Sequence, residues 1–413
     1  MKAVVFNLGC KVNYYESNVL KESLRQKGYD VYDELVFADI YVLNTCAVTA
    51  EAERKSRQAI SRCRAFNPAA KIFVCGCASQ NNPENFHKDN VIFVTGSAQK
   101  NSILDRLEDT EYSGEVKTLP TVCESSFLPR ADRTRAFVKI QDGCDSFCSY
   151  CIIPYLRGRS RSRNADEIVS EIERLSATSK EIVLTGINIM SYGADTGTGL
   201  TELIRRLKDI DCRIRIGSFY AEGISEELLD ALFSLKKFCP HFHLSLQSGD
   251  DEVLKAMNRK YTSACYEQKV KLIRSYDPNA CVATDVITGF PTERQENHIR
   301  SVEFIKRVGF SDIHVFPFSP RVGTKAAKLP SLPSEIVKQR RNELLDLKKS
   351  LHKVFLKNNV GIKHEVLVEA KQGDYFVGYS RNYVKIYTER NGEIINCVPT
   401  AQYKDGLKED IKQ

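Results

Sequence analysis

No run in this 413-residue sequence approaches the roughly 20 apolar residues of a membrane-spanning helix. The opening Met1-Lys2-Ala3-Val4-Val5-Phe6 is too short an apolar run for a secretory signal. Fourteen cysteines could mean disulfides, but nothing in so long a chain points to an oxidising compartment. A reduced, cytoplasmic protein is expected, whose special cysteines bind metal. The distant second C-x2-4-C pair that usually marks a zinc site is missing. Tryptophan is absent, and nothing follows from it. The length suggests two or three domains. Lys and Arg total 60 against 53 Asp and Glu, a net +7 that suits a polyanionic partner.

The most informative stretch is Gln141-Asp142-Gly143-Cys144-Asp145-Ser146-Phe147-Cys148-Ser149-Tyr150-Cys151. Cys144, Cys148 and Cys151 fall at the spacing C-x3-C-x2-C. Three thiolates on one tight loop can hold three irons of a cubic cluster. An electron-transfer cluster normally takes four cysteines, so the fourth iron is left open to a small molecule. Zinc, or three unrelated thiols, ranks well behind. This spacing resembles the signature of the radical S-adenosylmethionine (SAM) enzymes, in which SAM chelates the open iron.

Before that loop, strand-like runs at 4–6, 40–43, 72–74 and 91–94 alternate with helical stretches at 15–27 and 50–64. An α/β domain with a parallel sheet is expected over 1–120. Cys10, Cys46 and Cys77 sit just past three of those strands, at the sheet edge where ligands bind. Cys75 is assigned to the core, with Gly76 letting the backbone turn toward a cluster. Cys63 and Cys123 have no such context and read as structural. Residues 109–135 lack a period and read as a linker.

From 137 the βα rhythm restarts, with strands at 137–140, 182–184, 213–216, 242–246, 281–284 and 313–315. Six units are too few for a closed barrel, so a partial (β/α)6 barrel is expected over 130–350, with function at the strand C-termini. Polar loops follow those ends at Gly186 and Asn188, Ser245 and Gln247, and Asp285 and Ile287. Just after the cysteine loop stand Arg157, Arg159, Arg161 and Arg163. Four arginines in seven residues read as a phosphate-binding patch for nucleic acid. Cys212, Cys239, Cys265 and Cys281 read as structural. A long basic helix at 334–358 precedes alternating strands at 365–369 and 383–387. The β pattern over 355–413 suggests a small OB-type barrel. Tyr375, Phe376, Tyr379, Arg381, Tyr383 and Lys385 are candidates for an RNA-binding face.

Taken end to end, the chain resembles the tRNA methylthiotransferases. These join an N-terminal cluster domain, a radical SAM core and a C-terminal TRAM domain. The neighbours of Cys10 and Cys46, with His314-Val315-Phe316-Pro317-Phe318-Ser319, look like the branch acting on N6-threonylcarbamoyladenosine. The resemblance implies methylthiolation at C2 of that nucleoside beside the tRNA anticodon. It implies two 4Fe–4S clusters, on Cys144, Cys148 and Cys151 and on Cys10, Cys46 and Cys77. The first would pass an electron to SAM, giving a 5′-deoxyadenosyl radical; the second would carry sulfur. SAM contacts would come from Gly186, Asn188, Ser245, Gln247, Asp285 and Ile287. Partners would be the tRNA anticodon stem-loop and an external one-electron donor such as flavodoxin or ferredoxin, with no membrane. One stretch departs from relatives: Gly217-Ser218-Phe219-Tyr220-Ala221-Glu222 stands where Ser-Ser-Ile-Glu-Pro is common. Three alternatives stay open: an isopentenyladenosine substrate, a ribosomal-protein aspartate, and a non-enzymatic RNA-binding protein stapled by iron–sulfur or zinc.

Overall fold

A computed structural model describes residues 1–116, 118–119, 123 and 134–410. The linker reading over 109–135 is corrected at its start, where Glu115–Val116 pair as a strand with Val94–Thr95, and elsewhere falls in part outside the described residues. The N-terminal region holds β1 (Lys2–Asn7), α1 (Lys11–Gln26), β2 (Asp30–Tyr32), β3 (Ile40–Thr45), α2 (Ala50–Phe66), β4 (Lys71–Gly76), α3 (Cys77–Asn81), β5 (Val91–Thr95) and β6 (Glu115–Val116). Its strands form one parallel sheet in the order β2-β1-β3-β4-β5-β6. β3 is buried at every residue. Apolar clusters lie on both faces of the sheet, which is why its strands read as continuous apolar runs. α1 starts four residues before the expected position, because Val12 and Tyr15 are already buried. α2 is capped by the Thr49 hydroxyl, which accepts from Ala52 N–H at 3.1 Å.

The central region runs β7 (Arg135–Lys139), β8 (Gln141–Asp142), α4 (Ile153–Arg157), β9 (Arg161–Ser162), α5 (Ala165–Ser176), β10 (Glu181–Thr185), α6 (Leu200–Arg206), β11 (Arg213–Ile216), β12 (Ser218–Phe219), α7 (Glu226–Phe233), β13 (His241–Leu244), α8 (Asp251–Ala256), α9 (Ser263–Tyr276), β14 (Cys281–Thr288), α10 (Gln295–Val308), β15 (Asp312–Pro317) and α11 (Ser334–Asn358). β7, β10 and β11 pair in parallel, and so do β12, β13, β14 and β15. β11 and β12 are one strand interrupted at Gly217. The strands therefore run side by side in chain order, with helices between them packing into one large apolar core. The side chain of Asn164 accepts from Asp166 and Glu167 N–H and starts α5. β14 runs to Thr288, four residues past its expected end. Asp285 and Ile287 thus lie inside a strand rather than in the loop after it.

The last strands are β16 (His364–Gln372), β17 (Tyr375–Ser380), β18 (Lys385–Thr388), β19 (Ile394–Cys397), β20 (Ala401–Tyr403) and β21 (Gly406–Lys408). They form a six-stranded sheet in the order β19-β16-β17-β18-β21-β20. All pairs are antiparallel except β18 with β21. Tyr383 was expected to open a strand, but its φ is +67° and it sits in the turn before β18.

Two buried carboxylates join these regions. At the N-terminal junction, Glu16 of α1 meets Arg157 Nη1 at 3.0 Å and Nη2 at 3.1 Å, Lys139 Nζ at 3.2 Å, and Lys100. At the C-terminal junction, Glu181 of β10 meets Arg135 Nε at 2.6 Å and Arg215 Nε at 2.7 Å, with Arg213 Nη1 at 3.7 Å. Arg213 continues to Glu365 at 2.8 Å and Arg135 to Glu369, so both reach the C-terminal sheet.

Candidate active site

Cys144, Cys148 and Cys151 occupy the loop after β8, and Cys144 and Cys148 are buried. Two residues in unusual backbone conformations shape it. Gly143 has φ +70°, and a Cβ there would lie 1.9 Å from the Arg159 carbonyl oxygen. Phe147 has φ +44°, which costs a non-glycine residue about 1–3 kcal/mol and persists only where surroundings enforce it. Asn258 does so by donating to the carbonyls of Phe147 at 3.0 Å and Ser146 at 3.4 Å. Arg259 is buried beside the loop. Its Nη1 donates to Cys148 Sγ at 3.4 Å and its Nη2 to the Ser245 carbonyl at 3.1 Å. Burial lifts the Cys151 thiol to about 12. A metal must therefore displace its proton to bind.

Cys10, Cys46 and Cys77 are brought to one edge of the N-terminal sheet, near enough to act electrostatically on one another. Cys10 ends the β1–α1 turn, Cys46 follows β3, and Cys77 opens α3. Gly76 has φ +109°, and a Cβ there would meet the Thr45 backbone oxygen at 2.5 Å. That close approach of two strand ends lets Cys46 and Cys77 converge. Cys75 is fully buried in the sheet core. The Cys10 thiol donates to Asn13 Oδ1 at 3.3 Å, and Arg157 Nε donates to Cys77 Sγ at 3.3 Å. Burial lifts the Cys46 thiol to about 12. None of the fourteen cysteines is in a disulfide.

The arginine run does not form a nucleic-acid surface. Arg157 is fully buried, and its guanidinium also contacts Asp142 Oδ1 at 3.0 Å and Asn13 Oδ1 at 2.9 Å. Arg161 donates to the carbonyls of Arg157 and Arg159, and Arg163 pairs with Glu171 at 2.7 Å. Both are buried. Only Arg159 faces solvent, pairing with Asp145 at 3.0 Å and lying over the Phe147 ring. The run folds inward because Glu16, Asp142 and Glu171 are already buried there. An unpaired buried carboxylate would cost far more than a solvated surface arginine gains. Arg381 is likewise drawn into the C-terminal junction, donating to the Phe238 carbonyl at 2.8 and 2.6 Å.

Of the residues expected around SAM, Gly186 and Asn188 lie beside the cysteine loop. Gln141 ties the two together. Its Nε2 donates to the Gly143 carbonyl at 2.8 Å, and its Oε1 accepts from Asn188 N–H at 2.8 Å. Asn188 Oδ1 is buried with no hydrogen-bond partner among the described residues, as an acceptor awaiting a donor would be. The Ser245 carbonyl is held by Arg259 and by Tyr261 at 2.7 Å. Gln247, at φ +71°, bridges to β14 through Asp285 O and Ile287 N, both at 2.8 Å. Asp285 departs from expectation in its side chain as well, which points to two histidines, His243 and His314. Ile287 spends its backbone N–H on Gln247, and its side chain packs against the small apolar cluster around Phe290. Sequence reasoning gave no site role to Glu16, Gln141, Asn258, Arg259 or His243, and used His314 only as a marker of the family branch, since each acts through partners distant in sequence. Tyr220, in the stretch that departs from relatives, has the Arg259 guanidinium 4.4 Å from its ring centroid.

A cavity of about 840 Å³ runs between the three regions. Cys10 and Lys11 line it from the N-terminal region, Thr185, Gly186, His243 and His314 from the central strands, and Tyr379, Tyr383 and Lys385 from the C-terminal sheet. Tyr383 stacks on His241 at 4.5 Å and on Tyr379 at 4.7 Å.

Parallel strands in chain order, with three thiols on the loop after the first, define a radical SAM enzyme. Residues 138–305 match the Radical SAM superfamily, and residues 2–96 match the uncharacterized protein family UPF0004. The chain is 39% identical to the threonylcarbamoyladenosine tRNA methylthiotransferase MtaB of Aquifex aeolicus, over 89% of its own length and 93% of that protein. It is 37% identical to the protein of that name from Bacillus subtilis, over 96% and 93%. It is 35% identical to a tRNA-2-methylthio-N(6)-dimethylallyladenosine synthase from Thermodesulfovibrio yellowstonii, over 98% and 97%. The chain belongs to the radical SAM tRNA methylthiotransferases. Its cofactors therefore include SAM and a 4Fe–4S cluster, and its substrate is tRNA. Among solved structures, a cobalamin-dependent SAM radical enzyme, OxsB, superposes with a TM-score of 0.53 at 12% identity. The match spans 85% of this chain and 56% of that one, a likeness of fold alone. No described helix is long and apolar enough to cross a membrane.

Proposed function

We propose that this enzyme inserts a methylthio group at C2 of N6-threonylcarbamoyladenosine next to the anticodon of tRNA. The observation that carries the reading is the shared cavity. Cys10, from the strand-end triad, and Gly186, beside the loop triad, open on the same space, which is large enough for a modified nucleoside. The two relatives with the higher identities above carry the threonylcarbamoyl name. A similar relative named for dimethylallyladenosine makes that nucleoside the second reading.

Cys144, Cys148 and Cys151 would hold one 4Fe–4S cluster, leaving an iron for the amino and carboxylate groups of SAM. When bound, cluster and SAM supply the radical chemistry that an unactivated aromatic C–H bond needs and side chains cannot provide. Asn188 would accept from SAM through its unpartnered Oδ1, while Gln141 fixes the loop that carries it. Arg259 would hold a cation 3.4 Å from the Cys148 sulfur, where it offsets part of the negative charge of a thiolate-bound cluster. Cys10, Cys46 and Cys77 would hold a second cluster, the sulfur-carrying one, at the cavity's other side. An external one-electron donor such as flavodoxin or ferredoxin is required.

The domains would be 1–120 for the second cluster, 130–350 as a partial (β/α)6 barrel, and 355–413 as a TRAM-type RNA-binding barrel. With three arginines of the run internal, RNA contact would fall to Arg159 and to Lys385, Tyr379 and Tyr383 at the cavity. Single-stranded anticodon bases suit such aromatic and cationic groups. Nucleoside mass spectrometry of tRNA from cells with and without the gene tests the function. Methylthiolated threonylcarbamoyladenosine should vanish without it. Loss of methylthiolated isopentenyladenosine instead would hand the assignment to the second reading.

A further inference from the structure

One polar group in the cavity has no part in that scheme. His243 on β13, Asp285 on β14 and His314 on β15 present ligand atoms within 4.8 Å of one another. Asp285 Oδ1 lies 3.1 Å from His243 Nε2 and 3.2 Å from His314 Nδ1. His243 Nδ1 lies 2.7 Å from Ser218 Oγ. His314 Nε2 lies 3.5 Å from Asp312 Oδ2. A carboxylate only accepts, so His314, with one beside each ring nitrogen, holds both protons and is an imidazolium. The hydrogen bonds to Asp285 and Asp312 raise its pKa to about 9.

The two sides of His314 differ. Nδ1–H is fixed on Asp285. Nε2–H faces Asp312 at longer range, and Asp312 has a second cation in Lys348 at 3.2 Å. The His314 side chain is 44% exposed. Its Nε2–H is thus a charged donor that an arriving carboxylate can take over without orphaning Asp312. Lys11 lines the same cavity from the N-terminal region and has no ion pair among the described residues. The remaining acid on the wall, Asp405, is held by Lys385 at 2.9 Å.

We propose that His314 and Lys11 bind the carboxylate of the threonylcarbamoyl group and so select an N6 substituent carrying negative charge. The inference rests on the substrate reading above. In that nucleoside the threonine is attached through nitrogen, which leaves its carboxylate free. An isopentenyl group offers no charge, and admitting it would strip water from two cations without replacing it.

The test uses the reconstituted full-length enzyme and three anticodon stem-loop RNAs. They carry threonylcarbamoyladenosine, its carboxyl methyl ester, or isopentenyladenosine. Dissociation constants and steady-state kinetics are measured for the wild type, His314→Gln and Lys11→Gln, with iron content and circular dichroism as controls. The wild type should bind the free acid about tenfold to a hundredfold more tightly than the ester, the scale of a charge-assisted hydrogen bond. Each variant should lose most of that ratio by weakening the acid alone. KM should rise with kcat nearly unchanged, because the carboxylate is remote from the reacting carbon. Equal wild-type affinity for acid and ester overturns the proposal, and so do variants that keep the full ratio. A wild type that prefers the isopentenyl RNA overturns the substrate reading, and the proposal with it. Should His314→Gln lose its iron or its fold, Lys11→Gln and the wild-type ester comparison still decide.

Discussion

The two cysteine triads reach similar ends by opposite routes. Cys144, Cys148 and Cys151 are neighbours in sequence, so one loop suffices. The cost is local: a strained Phe147 and a glycine no other residue could replace. Cys10 and Cys77 lie 67 positions apart, with Cys46 between, and the three meet only because a parallel sheet aligns its strand ends. Their cost lies in the fold, in the approach of Gly76 to Thr45. The loop triad should therefore tolerate damage to the N-terminal sheet, and the strand-end triad should not tolerate damage to the sheet's packing.

The sharpest way to break this comparison is to remove each triad whole. Changing Cys144, Cys148 and Cys151 to Ala should abolish SAM cleavage, read as deoxyadenosine release. Changing Cys10, Cys46 and Cys77 to Ala should leave cleavage and abolish methylthiolated RNA. Deoxyadenosine from the first variant, or methylthiolated product from the second, would erase the division of labour.

Arg157 links the two routes. It touches Cys77 on one side and Asp142, two residues before Cys144, on the other. Burial works against the Glu16 charge, yet Arg157, Lys100 and Lys139 hold its carboxyl well below the usual range. Arg157→Ala would leave Glu16 and Asp142 short of their main buried partner. About 3–5 kcal/mol of stability should be lost, with lower iron content at both sites. Of the six triad cysteines Arg259 touches Cys148 alone, so Arg259→Ala should lower loading of the loop triad only. Chemical denaturation and iron assays separate the two.

The difference between the triads also explains what the sequence could reveal. The loop triad was legible as a spacing, and the parallel sheets as apolar runs. The strand-end triad needed the further inference that strand ends converge. The arginine run misled because a run shows charge but not its partners. Glu16 and Glu171, which turn Arg157 and Arg163 inward, lie 141 and 8 residues away. Asp285 misled because β14 continues past Thr284, and nothing in Asp285-Val286-Ile287-Thr288 marks a strand end. Arg259 and Asn258 were silent, since a residue that supports a loop from another element leaves no local pattern.

Glu181 gives the comparison a control away from either triad. Burial again opposes its charge, but Arg215, Arg135 and Arg213 depress its pKa to about 2, below the usual glutamate value of about 4.5. A carboxyl whose folded pKa is depressed stabilises fully above its unfolded value. That stabilisation is lost as pH falls from about 4.5 toward 2. Glu181→Gln should lower stability by a few kcal/mol at pH 7 and flatten this acid-limb dependence. Iron at either triad should be untouched at pH 7. If iron falls with it, the C-terminal junction is not independent of the sites.

The smallest effects make the finest test, because each perturbs one triad's support and spares its ligands. Gly76→Ala puts a Cβ 2.5 Å from the Thr45 carbonyl oxygen and 2.7 Å from its nitrogen, at a φ of +109°. Backbone cannot retreat as a flexible side chain would, so about 1–3 kcal/mol should be lost. The strain falls between Cys46 and Cys77. SAM cleavage should persist while methylthiolation drops. Asn258→Ala removes the donors to Ser146 and Phe147, a loss of about 1 kcal/mol. Phe147 is then free to leave its left-handed conformation, and SAM cleavage should slow before the N-terminal sheet is affected. If both variants reduce cleavage and methylthiolation in the same ratio, the triads are supported jointly. Local and assembled sites would then be one cooperative unit, with Arg157 as the element that couples them.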